Sequence, residues 1–109
     1  MEETQCEPTK SVAAVNKLIY LDNVVAIKDS SRDMRQMNDL VRFCGNEIRV
    51  FVGSEDHLLP SLSVGAVGAV AMVPQIVGRM AVDLYEAAVS GDRNLALELH
   101  LMILRVYDL

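Results

Sequence analysis

Lys28 is the residue whose neighbours suggest chemistry. It follows the apolar run Val24-Val25-Ala26-Ile27 and precedes Asp29-Ser30-Ser31, a turn of small polar residues. Beside apolar walls, desolvation disfavours a lysine's ammonium form and lowers its pKa. The neutral amine can then attack a carbonyl carbon and form a Schiff base. The plainer reading is a lysine at a strand end with its head in water, and position alone leaves both open. Other reactive groups give less. Cys6 and Cys44 match no metal spacing, and His57 and His100 lie too far from them in sequence for a zinc motif. No metal site is expected. The cysteines read as reduced thiols of a cytoplasmic protein, and Cys44, with Met34 and Met37, as core.

The elements that must hold Lys28 follow from pattern. A short apolar run bounded by turn signals reads as a strand buried on both faces, as in a parallel sheet. Lys28 would sit where this strand ends and a loop begins, and α/β folds bind ligands at that end of the sheet. Before it, Thr9 can cap a helix carrying Val12, Val15, Leu18 and Ile19. After it, Ser30 or Ser31 can cap a helix whose stripe is Met34, Met37, Leu40, Val41 and Cys44, closed by Gly45. Ile48 to Val52 reads as a second strand stopped by Gly53, and Ser54 to His57 as a loop. Leu58 to Val64 reads as a short helix ended by Gly65, and Val67 to Val73 as a third strand broken by Pro74. A long helix then runs from Ile76 towards Gly91, and Asp92 caps a last helix reaching Leu109. Strand–helix alternation predicts an α/β fold with parallel strands. The last helix is apolar on most sides, so it needs cover on most sides, from a partner chain or from further sequence.

Composition bounds the function. The 109 residues fit one domain, and hydrophobic residues at 51% with aromatics at 5% require a core of aliphatic side chains. A net charge of −5 without a basic cluster argues against nucleic-acid binding. The polar, acidic first residues do not look like a secretory signal, and no stretch is long and apolar enough to cross a membrane. Residues 1–8 are expected to form a flexible leader ahead of a folded unit at 9–109.

Three stretches together resemble one family. Asn23-Val24-Val25-Ala26-Ile27-Lys28-Asp29-Ser30-Ser31-Arg32-Asp33 is similar to the N-(I/V)-(I/V)-G-(I/V)-K-(E/D)-(S/A)-(S/T)-x-D stretch of the dihydrodipicolinate synthase and N-acetylneuraminate lyase family. Val52-Gly53-Ser54-Glu55-Asp56 resembles that family's S-G-x-(D/E)-(D/E) loop. Val64-Gly65-Ala66-Val67-Gly68-Ala69-Val70-Ala71 resembles its L-G-A-x-G-x-I-S strand. Tyr85-Glu86-Ala87 with Gly91-Asp92 is similar to its L-x-x-A-x-x-G-D helix end.

The resemblance implies a (β/α)8 TIM barrel, of which this chain carries three parallel strands equivalent to strands six to eight, with flanking helices. It implies a lyase or aldolase that makes or breaks carbon–carbon bonds through a Schiff base between Lys28 and pyruvate or another 2-keto acid, with no cofactor. Val70 would pack beside the bound keto acid, and Gly53 matches the glycine of the seventh strand. Glu55 and Asp56 fall where some members hold the polar tail of the second substrate, the alternative being a helix start that faces water. A complete barrel takes about 250 residues. The family's first five strands, with the Thr-Thr and Y-N-x-P stretches that hold the carboxylate and relay protons, have no counterpart here. The chain is therefore expected to be a C-terminal portion with little activity alone, since acid–base help is worth about 10²- to 10⁴-fold. Expected partners are the keto acid and either a second copy or a complementing chain carrying the other strands. The competing reading is a non-catalytic truncated paralogue or an oligomerising interaction module.

Overall fold

The computed structural model describes residues 10–70 and 75–108, so the expected leader at 1–8, the cap at Thr9 and the strand end at 71–73 lie outside the described residues. The described elements are α1 (Lys10–Leu18), β1 (Ala26–Asp29), α2 (Met34–Cys44), β2 (Arg49–Val52), a 3₁₀ turn (Glu55–His57), α3 (Leu58–Val64), β3 (Gly68–Ala69), α4 (Gln75–Ser90) and α5 (Arg93–Tyr107). The three strands form one sheet in the order β1-β2-β3, and both pairings are parallel. Ala26 lies opposite Arg49 and Lys28 opposite Phe51, while Phe51 also pairs with Gly68.

Side-chain alternation divides the sheet into two faces. Val50 and Val52 are buried, and they join Val12, Met37, Leu40, Leu58, Val77, Leu84 and Ile103 in one core on the helix side. Burying each such aliphatic side chain contributes roughly 1.5–3 kcal/mol. Ala26, Lys28 and Arg49 lie on the other face and are exposed, with Phe51 half-buried. This corrects two expectations. β1 is not covered on both faces, because the described helices pack on one side only. Lys28 is not the strand's end, because the ladder runs on through Asp29, which pairs with Val52.

Local chemistry explains most boundaries. α2 is capped by Asp33, whose carboxylate accepts the Arg35 N–H at 2.9 Å, and not by Ser30 or Ser31. The loop residues are needed elsewhere, as described below. Cys44 is fully buried at the helix end, and burial pushes its thiol pKa up, which suits a core role. α3 ends at Gly65 with φ 119, a left-handed conformation that favours glycine. α5 starts at the Asp92 cap, which accepts the Leu95 N–H, and it packs along α4. Among the described residues, no helix is long and apolar enough to cross a membrane.

Candidate active site

The loop leaving β1 is tied down from beneath. Asp29, only 6% exposed, points to the face opposite Lys28. Its Oδ1 accepts the Ser31 N–H at 2.9 Å and the Gln36 Nε2 donor at 3.1 Å. Ser31 Oγ in turn accepts the Asp33 N–H at 3.2 Å. A buried carboxylate with two donors is satisfied and holds its loop in one shape. Between these anchors Arg32 adopts φ 59, the left-handed region that a non-glycine residue rarely occupies.

The loop leaving β2 lies against the first one. Gly53 N–H donates to the Asp29 carbonyl at 2.8 Å. A Cβ at Gly53 would stand 2.9 Å from Ser30 Cβ and 3.1 Å from Ser30 Cα, with Ser30 Oγ closer still. Glycine is favoured here by the close approach of Ser30, its side chain nearest, and not by a turn, and strand termination alone does not explain it. Next, Ser54 is buried and its hydroxyl donates to Asp56. Glu55 is 2% exposed, so it does not face water at a helix start. Its carboxylate accepts the Tyr107 hydroxyl at 2.5 Å, which docks the end of α5 onto the 3₁₀ turn. Burial, and then the Glu55 carboxylate, push the Tyr107 pKa above the usual tyrosine range, so this phenol is a donor at neutral pH. The Arg32 guanidinium lies over the same ring, 5.5 Å from its centroid.

These groups surround a cavity of about 340 Å³ at the carboxyl end of the strands. Lys28, Gly53, Glu55 and Val70 all line it, as do Ser30, Arg32, Ser54 and Tyr107. Four of the five residues selected from sequence therefore meet at one place. The fifth, Asp56, does not line it: it is half-buried and engaged by Ser54. Val70 is carried past β3 by its N–H bond to the Val52 carbonyl at 2.9 Å. Lys28 itself is exposed, so the described apolar residues do not desolvate it as the run before it suggested. Sequence reasoning missed Arg32 and Tyr107. Tyr107 is brought in from 79 positions beyond Lys28 by the packing of α5, and only the i to i+4 spacing of Arg32 from Lys28 could have hinted at a second cation.

A larger cavity, about 790 Å³, opens between α3, α4 and α5, but its lining is mainly aliphatic, with Ser63, Tyr85 and Arg93 as its polar members and none of the residues selected from sequence. Among the described residues, no three of His, Cys, Asp and Glu come together to hold a metal ion.

Comparison with known proteins bears on the fold and the family. A curated 4-hydroxy-tetrahydrodipicolinate synthase of Prochlorococcus marinus (strain CCMP1986) is 36% identical over 86 residues, covering 79% of this chain and 28% of that protein. The crystal structure of dihydrodipicolinate synthase from Aquifex aeolicus superposes with a TM-score of 0.79 at 28% identity, covering 89% of this chain and 33% of its own. A 2-keto 3-deoxygluconate aldolase from Picrophilus torridus superposes at 0.69 and 28% identity, over 82% and 32% of the two chains. The chain thus spans about a third of the length of the relatives it matches, and its three parallel strands with flanking helices are part of a TIM barrel. With the dihydrodipicolinate synthetase family model matching residues 7–109, the chain belongs to that family.

Proposed function

We propose that this chain carries the Schiff-base strand of a lyase or aldolase acting on pyruvate or another 2-keto acid, with Lys28 as nucleophile. The observation that supports the reading most is the gathering of Lys28, Gly53, Glu55 and Val70 around one cavity at the carboxyl end of a parallel sheet. That is where α/β folds place their chemistry.

The steps follow from the residues. The Lys28 Nζ lone pair adds to the ketone carbon, and the carbonyl oxygen takes a proton to give a carbinolamine. Loss of water leaves a protonated C=N bond. In a keto acid with a hydroxyl two carbons beyond the iminium carbon, that hydroxyl gives its proton to water, the bond between those two carbons breaks, and the iminium takes up its electron pair, releasing an aldehyde and leaving an enamine; the reverse direction forms the bond and returns the proton. Val70, half-exposed at 49%, offers an apolar wall to the ketone's methyl group. The functional unit needs further strands beside β1 and β3, from whichever chain supplies them, because three strands cannot close a barrel. With its amine open to water, the chain alone is expected to turn over poorly.

Reductive trapping tests the assignment. The protein is incubated with pyruvate and borohydride, which fixes the iminium as a secondary amine, and the modified lysine is located by peptide mass spectrometry. Lys10 and Lys17 serve as internal controls. Preferential labelling of Lys28 is expected, without catalytic turnover. Equal labelling of all three lysines would overturn the assignment. Accompanied by a concentration-dependent oligomer, that result would instead favour an interaction module using the exposed Leu97, Leu101 and Met102 of α5.

A further inference from the structure

We propose that Arg32 is the specificity-determining residue of this cavity and that it selects a 2-keto acid bearing a second, distal carboxylate. The proposal rests on the Schiff-base reading of Lys28 and names the substrate class for that site.

Three observations carry it. First, Arg32 occupies a left-handed conformation, φ 59, that costs an ordinary side chain energy and is avoided unless surroundings enforce it. The hydrogen bonds accepted by Asp29 before it, and by Ser31 from the Asp33 N–H after it, enforce it here. Second, the guanidinium is not left to wander in solvent. It lies over the Tyr107 ring at 5.5 Å, and that ring is in turn fixed by its hydroxyl's bond to buried Glu55. A guanidinium held over a ring keeps N–H donors for a ligand, in the fork that matches a carboxylate. Third, the wall has a local charge opposite to the chain's. The chain carries −5 overall, yet the cavity sets Lys28 and Arg32 against the single carboxylate of Glu55, which is already hydrogen-bonded. Such a pocket attracts anions.

Position decides which anionic group is met. Lys28 lies within β1, whereas Arg32 lies beyond the end of the strand, in the loop that precedes α2. The carboxylate adjacent to the reacting ketone stays close to Lys28. Arg32 faces the far end of a longer ligand, with the Ser30 and Ser54 hydroxyls on the same wall.

The test compares Lys28 labelling by borohydride with pyruvate and with 2-oxoglutarate, which has the same ketone and a distal carboxylate. The wild-type chain is expected to label with 2-oxoglutarate at about tenfold lower concentration, the scale of one charge-assisted hydrogen bond. In Arg32→Gln the ratio of the two falls to about one, and Arg32→Lys, a point charge without the fork, lies between. No preference in the wild type, or an unchanged ratio in Arg32→Gln, would overturn the proposal. A second measurement needs no Schiff base: modification of arginines by phenylglyoxal with and without glutarate. Selective protection of Arg32 supports the anion site even if Lys28 labels with neither ketone, a result that would sink only the Schiff-base reading. Absence of protection counts against Arg32 itself.

Discussion

At the residue scale, the cavity depends on contacts closer than ordinary side chains allow. Gly53 is the clearest case, because any Cβ there would run into the Ser30 side chain and backbone. Gly53→Ala is expected to cost about 1–3 kcal/mol, the usual range for overpacking, and to weaken Lys28 labelling by displacing the Ser30–Arg32 loop. Urea denaturation reads the first effect. Adding Ser30→Gly removes the nearest obstruction, so the double variant should recover much of the loss. A double variant no better than Gly53→Ala would show that Ser30 is not the obstacle.

At the element scale, α5 reaches the site through Tyr107, by its hydroxyl's bond to Glu55 and by its ring beneath Arg32. Tyr107 caps the otherwise buried Glu55 carboxylate, and the 3₁₀ turn packs against α5. Tyr107→Phe is expected to destabilise by about 1–3 kcal/mol, because a buried acceptor loses its donor. The sign with pH follows from the raised Tyr107 pKa. The folded chain holds this proton more tightly than the unfolded chain, whose tyrosine titrates near 10.0. The stability from Tyr107 is therefore complete below pH 10.0 and is lost as pH rises through the higher folded value. Chemical denaturation across that range should show a decline in the wild type that Tyr107→Phe lacks. An identical decline in both would remove Tyr107 as its source.

At the scale of the whole molecule, α5 also carries His100, whose Nδ1, like that of His57, is buried without a hydrogen-bond partner among the described residues. Burial lowers the His100 pKa, Asp56 opposes the shift and His57 adds to it. The unfolded chain thus takes up this proton more readily. Full stability is present above the ordinary value of 6.5 and is lost as pH falls through the lower folded value. The melting temperature should drop by a few degrees between about pH 7 and about pH 5. His100→Gln should flatten that dependence, and a curve unchanged by the substitution would assign the acid sensitivity elsewhere. By itself the sequence determined the strand–helix order, the parallel sheet, the end of α3 at Gly65 and the family, because periodicity, turn residues and motif spacing are local signals. It also marked Lys28, Gly53, Glu55 and Val70, which sit in or beside those motifs. Only the tertiary structure decided that Asp33 caps α2 while Asp29 anchors the loop, that Asp56 turns aside and that Lys28 stands open to water. It alone brought Tyr107 and Arg32 together over the cavity, because their meeting depends on how α5 packs across the end of the sheet, and no local pattern encodes a contact between residues so far apart in the chain.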